Sequence, residues 1–284
     1  MFFCYQIHIK NGVKGGKKMK IDLTTIIGII LALAGIGTGY MLEGGSFVAL
    51  LAPSPLLIIF GGTFGVVIIT QPLATIKKMP KIIGAIFKEK GFNYLETIDL
   101  ICEWSKITRR EGMRVLDDKK NEITEPFFKR AVTLLVDNYD PEDIKEFLEN
   151  DISMMEQRHS SNQKVFSGAG AFAPTMGIIG TVLGLIVILS KLGGADIAEL
   201  GHGISTAFLA TFMGVASANL VFLPFEGKLK SKTQQEVLYR EIVLQGMLGI
   251  YAQQDHFTLR ERLISLLPVS EREAKGTDAK KDGE

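Results

Sequence analysis

Carboxylates are missing where a membrane protein that moves ions would be expected to hold one. Two apolar runs, Phe166 to Leu192 and Ile204 to Phe225, contain no Asp, Glu, Arg or His. The same holds for an earlier run from Leu23 to Leu42. Cysteine is also scarce: Cys4 and Cys102 form neither a disulfide framework nor a metal spacing. The four histidines, His8, His159, His202 and His256, are scattered and make no ligand set. Net charge is only +1, which gives no case for nucleic acid. There is no phosphate-binding Gly loop and no nucleophile and base pattern, so the sequence gives no sign of an enzyme.

What remains is a chain of 284 residues with mean hydropathy +0.22, mixing lipid-soluble and strongly charged stretches. A bilayer is crossed by roughly 20 helical residues. Four stretches meet that length: Ile21–Leu42, Pro53–Thr75, Phe166–Leu192 and Ile204–Phe225. Pro53 and Pro55 suit a helix start, and Pro72 suits a kink near the second span's end. The expected fold is all-α: an integral membrane protein with four transmembrane helices and a helical cytoplasmic domain. Its divisions are spans one and two in 19–75, a helical domain in 76–165, spans three and four in 166–225, C-terminal helices in 226–268 and a disordered tail in 269–284.

Residues 1–18 read as a mis-called start. Lys14-Gly15-Gly16 can be encoded by AAAGGAGGN, a ribosome-binding site at a normal distance before Met19. The other reading is a genuine basic extension.

Lysines set the orientation. Lys77, Lys78, Lys81, Lys88 and Lys90 follow the second span, and Lys228, Lys230 and Lys232 follow the fourth. The opposite joints carry Glu43, Asp196 and Glu199, with Lys191 at a helix end. The positive-inside rule then places both termini and the middle domain in the cytoplasm.

The middle domain reads as helices. Tyr94, Ile98, Ile101, Cys102 and Ser105 share one face; Phe127, Phe128, Ala131, Leu134 and Leu135 share another. Asp140 before Pro141, Glu142 and Asp143 is a helix start. Ile144, Phe147, Leu148, Ile152 and Met155 continue that helix, which can run into the third span.

The third and fourth spans have small-residue faces. Gly177, Gly180 and Gly184 recur at helical spacing around Thr181; Ala207, Thr211, Gly214 and Ala218 do the same. One reading is close helix packing with each Thr bonding its own backbone. The other is a narrow pathway in which Thr181 and Thr211, with Gly177 and Ala207, line a route and replace part of an ion's water shell. An acid supplied by another polypeptide would complete it.

Three stretches resemble a known family: WSKITRREGMRVL at Trp104–Leu116, APTMGIIGTVLGL at Ala173–Leu185 and ELGHGISTAFLATFMG at Glu199–Gly214. Together with the order of segments they resemble MotA, the larger stator subunit of the bacterial flagellar motor. The resemblance implies a pentamer around MotB, a single-span partner whose membrane Asp carries the ion. Flow of H+ or Na+, with no cofactor, would turn the ring and push on the rotor protein FliG. Arg109 and Asp117 match the rotor-contact charges, Asp117 standing where the family usually has Glu. Without the family both would read as a solvated helix face. Pro174 and Pro224 match the prolines that couple ion flow to rotation; without it, they are kinks. Thr181 matches sodium-driven members, where proton-driven ones often have Ala, so it leans towards sodium while the ion stays open. The competing readings are an energiser of the ExbB/TolQ class and a non-conducting membrane scaffold.

Overall fold

A computed structural model describes residues 20–89, 91–193 and 196–272. Residues 1–18, with Cys4 and His8, Lys90, and the tail beyond Arg272 lie outside them. In chain order a two-residue strand β1 (Lys20–Ile21) pairs with β2 (Lys88–Glu89), and the rest is helical. The helices are α1 (Leu23–Leu42), α2 (Pro53–Thr70), α3 (Leu73–Ile76), α4 (Met79–Ile86), α5 (Tyr94–Glu111), α6 (Val115–Lys119), α7 (Pro126–Val136), α8 (Pro141–Ser190), α9 (Ile197–Tyr251), α10 (His256–Ser265) and α11 (Val269–Arg272). Helices α1, α2, α8 and α9 are each long and apolar enough to span a membrane.

Local chemistry explains where these helices start and stop. Asp22 accepts the Thr25 N–H at 3.2 Å and caps α1, so the first helix begins at Leu23 and not at Ile21. Pro53 opens α2 at its first turn, where its missing N–H costs nothing. The expected kink at Pro72 is instead a break. Proline disfavours helical backbone in the residue before it, and Gln71 is extended (φ −119°, ψ 144°). The second span therefore ends at Thr70, short of Thr75. Asp196 caps α9 by accepting the Glu199 N–H at 2.7 Å. Both joint acids thus belong to the helix start, about two turns before the expected fourth span. The 50-residue α8 is continuous from Pro141 into the third span, with the Asp140 carbonyl accepting its first bond from Ile144 at 2.9 Å. The tail expected to lack order from 269 begins with α11, whose Glu271 and Arg272 N–H groups donate to the Pro268 carbonyl.

Two compact units result. One contains residues 91–157 and 232–272. Its core gathers the expected faces: Ile98, Ile101, Cys102 and Ser105 from α5; Phe127, Phe128, Ala131 and Leu135 from α7; and Ile144, Leu148 and Ile152 from α8; α9 adds Ile242 and Met247. Phe147 departs from the pattern and is exposed. Helix α10 runs antiparallel to α5. Asp99 pairs with Arg260 at 3.2 Å and Arg109 with Asp255 at 3.0 Å.

The other unit contains residues 21–89 and 158–231. Its core joins Val67, Ile82, Ile86, Val165, Phe166, Ala169, Ala173, Ala218 and Phe222. Residues 76–89 and 158–165, assigned to the middle domain on charge, pack here because Ile82, Ile86 and Val165 bury their side chains among the spans.

Candidate functional site

The small-residue faces of α8 and α9 meet each other. A Cβ added to Gly177 would sit 2.8 Å from the Ala210 carbonyl, and one added to Gly214 would sit 2.6 Å from that of Ala173. Gly180 lies against Ala210, and Gly184 against Ala207. No side chain larger than hydrogen fits where Gly177 and Gly214 cross, so the backbones approach as closely as sterics allow.

That approach brings the two hydroxyls together. Thr181 Oγ1 lies 2.5 Å from Thr211 Oγ1, 2.8 Å from the Ala207 carbonyl and 3.1 Å from the Gly177 carbonyl. Thr181 has one proton, so it donates to one oxygen at a time. With that proton on Ala207 O, Thr211 donates to Thr181. All four oxygens belong to residues expected to line a route: Gly177, Thr181, Ala207 and Thr211. Such an all-oxygen group suits a hard cation. Both hydroxyls are partly buried, and Gly177 and Ala207 are buried.

The two prolines lie close to this seam. Pro174 is inside α8 and removes the N–H that would bond the Gly170 carbonyl. Gly170 in turn packs on Leu223, the residue before Pro224, at 2.6 Å from its added-Cβ position. Pro224 follows a wide π-helical turn at Ala218–Phe222. Side chains help satisfy backbone there: Ser217 Oγ donates to the Gly214 carbonyl at 3.0 Å and Asn219 to that of Val215 at 2.9 Å.

Arg109 and Asp117 lie in the other unit, and each already has a partner. Arg109 Nη1 donates to Asp255, with both side chains half-exposed. The Phe257 N–H, then the neighbouring His256 and Arg109, hold the Asp255 carboxyl below the usual carboxylate range. Asp117 pairs with Lys120 three residues on.

One pair was not expected from the sequence. Asp22, nearly fully buried, lies 2.5 Å from Lys228 Nζ on α9 and accepts the Thr24 hydroxyl at 2.7 Å. Burial alone would raise its carboxyl, but bonds from Lys228, Thr24 and the Thr25 backbone outweigh that and hold it well below the usual range. Asp22 is a recognisable cap residue, but nothing local announces a partner so distant in the chain.

The chain matches known proteins along most of its length. Residues 26–112 match the family described as motility protein A N-terminal, and residues 119–242 match the MotA/TolQ/ExbB proton channel family. Motility protein A of Bacillus subtilis is 38% identical over 253 residues, covering 89% of this chain and 93% of its own. Chemotaxis protein PomA of Vibrio alginolyticus is 32% identical over 230 residues, covering 81% and 89%. The flagellar MotAB stator complex from Bacillus subtilis contains a chain that superposes with TM-score 0.83 at 37% identity, covering 88% of this chain and 98% of that one.

Proposed function

The chain belongs to the MotA/TolQ/ExbB proton channel family and is a multi-pass stator subunit of the bacterial flagellar motor, and we propose that Thr181 and Thr211 line its ion path. It works with a MotB-type partner, as a channel and structural component rather than a catalyst. The observation that carries the proposal is the meeting of two hydroxyls and two carbonyls between α8 and α9, in spans that contain no carboxylate. A partner carboxylate would supply the acid, and the four oxygens would replace part of the water shell of the passing H+ or Na+. Thr181 favours sodium, because a hydroxyl coordinates a hard cation and a methyl does not.

In this reading the chain forms a pentamer around its partner, with both termini in the cytoplasm. Pro174 and Pro224 are the coupling hinges: each removes a backbone bond at the level where Gly170 meets Leu223. Arg109 and Asp117 engage the rotor protein FliG. Both are exposed, and their surface pairs with Asp255 and Lys120 cost little to exchange for a partner's charges.

The test is swimming of a stator-deleted bacterium given this chain and its partner, with sodium present and with sodium replaced by potassium at fixed pH. Swimming only with sodium, weakened by Thr181→Ala, supports the hydroxyl-lined path. Equal swimming in potassium removes the cation role from Thr181. A Thr181→Val variant that loses stability but keeps the native ion response leaves the residue a packing group.

A further inference from the structure

From the end of the second span to the first residue of β2 the chain reads QPLATIKKMPKIIGAIFK, residues 71–88, with four lysines and no acid. Lys77, Lys78 and Lys81 are exposed and have no ion pair among the described residues. Lys77, Lys78 and Lys81 lie within five residues of one another at the α3–α4 turn, so their charges are crowded into one short stretch. Like charges this close repel one another, and an intramolecular acid would be the ordinary remedy.

Two further observations separate this stretch from a simply solvated face. First, it is anchored. Ile82 and Ile86 are buried in the core with Val67 and Phe166, and Phe87 stacks edge-on against Phe225 with ring centroids 5.7 Å apart. The Pro72 break turns the chain directly out of the membrane helix, and β2 is tied back when Asp22 N–H donates to the Phe87 carbonyl at 2.9 Å. The lysines therefore sit at fixed places beside the span's end. Second, apolar side chains point outward among them. Leu73 is 63% exposed and Ile83 is 39% exposed. Exposed leucine next to unpaired lysine is costly in water but matches the boundary where acyl chains meet headgroups.

We propose that residues 71–88 form a binding surface for the phosphate headgroups of anionic phospholipids, with Lys77, Lys78 and Lys81 holding the phosphates and Leu73 and Ile83 entering the acyl region. Lys230, exposed on α9 in the same unit, adds to the positive field. Each lysine near an anionic surface contributes about a fivefold preference, and the effect fades with ionic strength. The lipid would act as a counter-ion layer for a ring that must keep its place in the bilayer.

The test uses the full chain with its partner in nanodiscs of phosphatidylcholine containing a minor share of phosphatidylglycerol. Lipids retained after delipidation are weighed by mass spectrometry. The native chain retains phosphatidylglycerol severalfold above its bulk share, and less as salt rises. The triple variant Lys77→Gln, Lys78→Gln, Lys81→Gln loses the enrichment while its helicity is unchanged, and the matching triple Arg variant keeps it. Undiminished enrichment in the Gln variant overturns the proposal. So does enrichment that ignores salt, or that millimolar inorganic phosphate abolishes, since the latter marks a free-phosphate site.

Discussion

Arg109 on α5 donates to Asp255, the residue that caps α10, across 3.0 Å. The same carboxylate accepts the Phe257 N–H at 3.0 Å through its second oxygen. One acid therefore serves two masters: it starts a helix, and it occupies the cation that we assign to the rotor. An exposed pair of this kind contributes little to stability, so a partner carboxylate can displace it.

Asp255→Asn separates the two duties. Asparagine caps as well as aspartate, so α10 keeps its start while Arg109 loses its holder. The expected outcome is a dwell time of labelled stators on the motor lengthened by up to about fivefold, while Arg109→Gln shortens it. An unchanged dwell time in the Asn variant would show that Asp255 does not compete.

The seam between α8 and α9 predicts a contrast among glycines. Gly177→Ala drives a methyl against the Ala210 carbonyl, which is backbone and cannot rotate away. It should lower stability by about 1–3 kcal/mol, read as a shift in thermal unfolding in detergent. Gly227→Ala meets nothing within 4 Å and should raise helix stability by roughly 0.5–1 kcal/mol.

Asp22→Asn keeps the cap of α1 but strands Lys228, and should cost about 1–3 kcal/mol at neutral pH. The folded Asp22 carboxyl is lowered from its ordinary 3.8, so its stabilisation is full above that value and is lost as pH falls through the lower folded value. Thermal melts from pH 7 downward check this: the native chain should lose an increment at acid pH that the Asn variant never had.

Much of this was legible because helical periodicity and membrane span length are local signals. The faces of α5, α7 and α8 were readable from spacing, and so was the place of Thr181 and Thr211 on small-residue stripes with Gly177 and Ala207, though not the hydrogen bond between the two hydroxyls. Three things were not. Pro72 could kink or break, and only the extended Gln71 decides. The charge of residues 76–89 suggested the water-facing domain, whereas Ile82 and Ile86 tie them to the spans. Asp22 with Lys228 and Arg109 with Asp255 join residues far apart in sequence, and a charge on a helix does not say which opposite charge the fold will bring to it.

The contact of Gly177 with Gly214 also bears on how the protein meets bilayers of different thickness. Two backbones in van der Waals contact leave no crevice for an acyl chain or an apolar drug to wedge open. Mismatch must then be absorbed elsewhere. Gly28, Gly35 and Gly39 along α1 have open space around them within this chain. Helix α1, which has no buried residue among those described, can tilt as the membrane thins or thickens, and the α8–α9 pair keeps its gauge.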